Sequence, residues 1–123
     1  MKKNKKSSAL LLKLVDYVGD FAEDKDWAAV FREKAIRPVL AGGDKIILDF
    51  GGITLTTQSF VHALISDLLR SEGEEALDRI EFRGCVAGVR GIVETVVQYS
   101  LETMEDDESE STKQPLRKPD KSN

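Results

Sequence analysis

One cysteine, one histidine, one tryptophan and three prolines are all that 123 residues contain of these types. A lone Cys85 excludes an internal disulfide and fits a reducing cytosol, so a cytoplasmic location is expected. With His62 as the only imidazole, there is no CxxC or HxxxH spacing, and neither a metal nor a cofactor is expected. Long hydrophobic runs are also missing. The leading MKKNKKSSALLLKLV has the basic start of a secretion signal. But Lys13 breaks its apolar stretch, Asp16 follows, and no small-residue cleavage site comes after. No stretch reaches the length needed to cross a bilayer. With few aromatics, aliphatic side chains must do most of the packing.

Basic charge is scarce where a folded body is expected. Four lysines sit in MKKNKK and four basic residues lie beyond Glu105, which leaves residues 7–104 with 10 basic against 16 acidic residues. An acidic body is a poor phosphate binder, so no nucleic-acid partner is expected.

What is present alternates between two periods. Ala9–Val18 is apolar over much of its length at both parities and reads as a strand inside a sheet, with a helix as the rival that periodicity alone does not exclude. Asp24 or Asp26 can cap a helix carrying Trp27, Val30, Phe31 and Ala35, which stops or kinks near Arg37 because Pro38 lacks an amide donor. Gly42-Gly43 ends it. DKIILDF, residues 44–50, is the clearest strand, its Ile46-Ile47-Leu48 run suggesting a central strand covered on both faces. From about Thr57 to Arg70, Phe60, Val61, Leu64, Ile65, Leu68 and Leu69 mark an amphipathic helix. Arg79–Arg83 is a short strand, and Val86 to Val97 give a last helix to about Met104, within which Gly88 and Gly91 would permit close packing. The order βαβαβα implies an α/β fold with a mostly parallel sheet and packed helices. Residues 1–7 read as a disordered leader, 8–104 as the domain, and 105–123 as a disordered charged tail.

Few residues suggest catalysis. Cys85, beside Gly84 and ahead of a helix, sits where a helix dipole can activate a thiol, but a small residue at such a junction also serves packing. Asp49 and Glu81 form no spaced acid–base pair. Gly51-Gly52 after a strand lacks the third glycine and the acid of a dinucleotide fingerprint. The remaining cluster is Thr56-Thr57-Gln58-Ser59. One such residue suffices to cap a helix, and here four stand beyond the carboxyl end of a strand, where open α/β sheets present binding surfaces.

IILDFGGITLTTQSFVHAL resembles the second-strand signature of STAS-like domains, roughly V-x-L-D-F-x-G-V-x-x-I-[TS]-S-S-F-A-x-x-L. Leu48, Asp49, Phe50, Gly52, Ile53, Ser59, Phe60 and Leu64 fall on matching positions. The resemblance spans residues 10–104 and implies a small STAS-like βαβαβα domain, related to antagonists of anti-sigma factors. In those proteins a partner with a histidine-kinase-type ATPase fold docks on this strand–helix junction and phosphorylates a hydroxyl there. The resemblance therefore implies a non-catalytic regulatory module in bacterial signalling, with Thr56, Thr57, Gln58 and Ser59 as the partner-binding cluster. Gln58 stands at the position of the phosphorylated serine and cannot be phosphorylated, so either the switch is lost and binding is constitutive, or the acceptor has moved to Thr57 or Ser59. Thr56 replaces the family's preferred Ile. A small-ligand or nucleotide-binding regulator using the same junction, or an enzyme using Cys85, remain as alternatives.

Overall fold

The computed structural model describes residues 9–113. The expected leader and the end of the expected tail therefore lie outside the described residues. Three strands, β1 (Ala9–Lys13), β3 (Lys45–Asp49) and β5 (Ile80–Arg83), form a parallel sheet in the order β1-β3-β5. A second, two-stranded parallel ribbon pairs β2 (Phe21–Ala22) with β4 (Leu55–Thr56). The helices are α1 (Val15–Val18), α2 (Lys25–Phe31), α3 (Arg37–Ala41), α4 (Gln58–Glu72) and α5 (Ala87–Lys113). A π turn, Arg32–Ile36, joins α2 to α3, and a 3-10 segment, Glu74–Arg79, joins α4 to β5.

The expected alternation of strands and helices and the parallel sheet are present, with β3 at the centre. Its faces differ from expectation. Ile46 and Leu48 are buried while Lys45 is exposed and Ile47 and Asp49 only half-buried. The strand is thus covered fully on one face. Topology supplies the reason: each crossover advances the sheet in the same direction, and right-handed crossovers then place their helices on a single side. The first strand is also shorter than expected. It stops at Lys13, because Leu14 turns inward and begins α1. As an edge strand it leaves Leu10 and Leu11 exposed rather than enclosed.

Pro38 does not end the second helix. The chain passes through the π turn, whose wider ring relieves the missing amide, and continues as α3 until Gly42. Arginines at either end of this π turn reach across to α4. The Arg32 guanidinium donates to the Ala63 carbonyl at 2.6 Å, and Arg37 donates to the Ser71 hydroxyl at 2.8 Å. Arg37 and Arg32 also hydrogen-bond Glu33, which holds that exposed carboxyl below its ordinary range.

Helix α4 is the centre of the helical layer. Phe60, Val61, Leu64, Ile65, Leu68 and Leu69 are all buried, as their spacing predicts. They meet Leu48 and Phe50 of the sheet side and Val89, Val93 and Val96 of α5 in one core. The contact between α4 and α5 also encloses a polar pair, Ser66 and Ser100, whose hydroxyls lie 2.7 Å apart and satisfy each other. Gly88 and Gly91 contribute no close packing: both are exposed, and a Cβ on either would meet nothing. Helix α5 runs past Met104, where the apolar pattern ends. Glutamates favour the helix and no proline interrupts it before Pro115. No helix of the described residues is long and apolar enough to cross a membrane.

Candidate functional site

The stretch Asp49–Ser59 is a turn, a short strand and a helix start, each fixed by local chemistry. Asp49 Oδ1 accepts the Gly51 amide at 2.8 Å, closing the turn after β3. Its carboxylate thus clasps the backbone of the turn. Gly52 holds φ of +86° and passes against Val15, a conformation and a space that suit only glycine. The neighbouring junction after β5 is built against this turn. Phe50 donates its amide to the Arg83 carbonyl at 2.7 Å, and a Cβ on Gly84 would lie 2.9 Å from the Gly51 nitrogen.

The ribbon β2–β4 then carries the chain into α4. Asp20 offers its carbonyl to the amides of Thr54 and Leu55, and Ala22 offers its own to the Thr57 amide at 3.2 Å. Within the four-residue polar cluster the roles divide. Thr56 is buried and its hydroxyl donates to the Ala22 carbonyl at 2.8 Å, so it fastens β4 to β2 and is not part of the exposed surface. That corrects its place in the expected docking cluster: the alternation of a strand turns this side chain inward. Thr57 is the N-cap, its hydroxyl accepting the Phe60 amide at 3.0 Å. Gln58 and Ser59 stand on the first turn of α4 and are exposed.

These two exposed residues open onto a groove of about 440 Å³ between α4 and α5. It is lined by Lys25, Gln58, Ser59, His62, Thr95 and Tyr99, with Ala63 and Val96 beneath. His62, off the buried stripe as its position predicts, is exposed and faces this groove. Tyr99, 58% exposed, forms the opposite wall. Lys25, Thr95 and Tyr99 were not legible as site residues. The intervals 58, 59, 62 and 95, 96, 99 each mark a helical face, but only the packing of α4 on α5 brings the two faces together.

Cys85 is half-buried between β5 and α5, and burial pushes its thiol above the ordinary range, only partly offset by Arg90. That is the opposite of the activation a nucleophilic cysteine needs. No group of three or more potential metal ligands occurs among the described residues.

The model of a STAS-like domain of unknown function matches residues 28–90, a span from α2 into the start of α5 that contains the whole junction. No curated protein and no solved structure matches the chain.

Proposed function

The chain belongs to the STAS-like domain family, and on that premise we propose that it is a non-catalytic regulatory module that docks a protein partner through the start of α4. The observation that carries this reading is the division of labour at residues 56–59. Thr56 and Thr57 are consumed by the ribbon and the cap, whereas Gln58 and Ser59 are exposed beside a groove and have no part in either. The partner is a protein with a histidine-kinase-type ATPase fold. Ser59 is the hydroxyl open to phosphoryl transfer, since Thr57 Oγ1 is engaged with the Phe60 amide. A phosphate on Ser59 would meet the positive end of the α4 dipole and the Lys25 ammonium across the groove. Gln58, neutral and uncharged at the aligned position, keeps the surface in the state that binds.

The test is capture with the purified chain and its Gln58→Arg and Ser59→Arg variants, with circular dichroism as the control for folding. A kinase-fold ATPase is expected with the wild-type protein and lost with each variant. Retention by both folded variants would remove the junction as the docking surface.

The size of the groove favours a second reading, a small-ligand or nucleotide-binding regulator, because about 300–1,000 Å³ is the usual range of ligand sites. A thermal-shift screen distinguishes it: a ligand at a hundred times its dissociation constant stabilises the fold by about 2.7 kcal/mol.

A further inference from the structure

Beside the junction, the outer face of the β2–β4 ribbon is apolar. Phe21 and Leu55 are direct partners in the parallel register, so their side chains stand side by side on one face, while the next pair, Ala22 and Thr56, points into the protein. Phe21 is 41% and Leu55 59% exposed. Neither side chain belongs to the core or to the partly buried residues packed on it. They are the kind of anchor that interfaces use when a polar rim surrounds them.

The chain around Phe21 carries charge mostly of one sign. Residues 16–26 hold five acids, Asp16, Asp20, Glu23, Asp24 and Asp26, against the single cation Lys25. All five acids are exposed, and none takes part in an ion pair among the described residues. Asp20 and Glu23 flank Phe21 in the chain. Lys25 is directed to the α4–α5 groove. An exposed apolar pair next to unpaired acids in the chain complements an apolar segment with basic neighbours.

We infer that Phe21 and Leu55 form a second docking patch, flanked in the chain by Asp20 and Glu23, which takes a basic amphipathic segment of the partner protein. The inference rests on reading this end of the sheet as the docking surface, but it specifies the chemistry of the partner's segment and not its fold. Leu55 precedes Gln58 by three residues, so one partner can cover both the patch and the junction.

The test uses the full chain and a labelled 14-residue peptide of Leu and Lys at helical spacing, with its Leu/Glu counterpart as the control. Fluorescence anisotropy gives the affinity, and amide chemical-shift changes give the location. The Leu/Lys peptide should bind with shifts centred on Phe21 and Leu55, and more weakly as salt rises. The Leu/Glu peptide should not bind. The charge-neutral double variant Phe21→Ser/Leu55→Ser should weaken binding about tenfold or more, as loss of an interface anchor does. Asp20→Asn/Glu23→Gln, which leaves the apolar pair intact, should weaken it several-fold at low salt. Arg70→Gln, exposed in the last turn of α4 and outside both patch and junction, should bind the peptide as the wild type does. Absence of Leu/Lys binding, equal binding of the Leu/Glu peptide, shifts centred elsewhere, or full affinity in the Ser/Ser variant would each overturn the inference.

Discussion

Four adjacent polar residues carry three different jobs. Thr56 is spent on β2, Thr57 on the helix cap, and Gln58 and Ser59 on neither. The difference follows from where each position points: Thr56 ends its strand facing in, Thr57 caps the helix, and Gln58 and Ser59 face out ahead of the buried Phe60 and Val61. Thr57→Ala should therefore cost about 1 kcal/mol, the usual worth of a cap hydroxyl, read as a lower urea midpoint with unchanged slope. Gln58→Ala and Ser59→Ala should stay within about 0.5 kcal/mol of wild type, as exposed positions do. If all three cost the same, the separation of cap from surface is wrong. Part of this was legible beforehand, since a hydroxyl ahead of an apolar helical stripe predicts a cap. Which of Thr56 and Thr57 supplies it was not, because both types cap equally well. The choice depends on the β2 carbonyl that holds Thr56.

Among the elements, α5 and the turns at the carboxyl ends of β3 and β5 show opposite uses of glycine. Gly84 is held at φ of +76° against the Gly51 backbone, and the Asp49 carboxylate lies as close. Gly91, in contrast, sits in an open helical position with space around its Cα. Gly91→Ala should stabilise the protein by roughly 0.5–1 kcal/mol through lower unfolded-state entropy and better helix propensity. Gly84→Ala should destabilise it by more than that, because both conformation and space are wrong. Thermal melts of the two variants moving in the same direction would contradict this account. The pair Gly88 and Gly91 suggested close packing from spacing alone, and spacing cannot tell which side of a helix meets a neighbour. A disturbance of the helix ahead of Pro38 was legible, since its missing amide is a local property. Its form, a π turn followed by one more helical stretch, was not. Arg32 and Arg37 bond that segment to α4, 31 and 34 residues away.

At the scale of the whole molecule, stability is concentrated in α4, whose apolar face meets the sheet and α5 while Arg32 and Arg37 tie it to the π turn. Leu64 is fully buried at its middle. Leu64→Ala should cost about 2–5 kcal/mol, a large share of the 5–15 kcal/mol that typical domains have in total. It should lower the urea midpoint far more than Gln58→Arg, which touches no core residue. Comparable losses would mean that the docking surface and the core are not separable in this small protein. The acidic character of residues 7–104 belongs to the same scale. Five of its acids are gathered along residues 16–26, on either side of Phe21 in the chain.

The sequence by itself determined the properties that depend on neighbours within a few residues. These were the alternation of strands and helices, the buried stripe of α4, the acidic body, the turn after β3, and the resemblance carried by residues 46–64. Tertiary structure decided whatever depends on partners tens of residues away. The pairing of Phe21–Ala22 with Leu55–Thr56 set which threonine is buried and which apolar side chains are exposed. The winding of the sheet in one direction left one face of β3 incompletely covered, although its apolar run reads as enclosed on both. The packing of α4 on α5 made a groove from two helical faces that are each unremarkable alone. A local pattern reports which side chains avoid water, but not which distant backbone supplies the shelter.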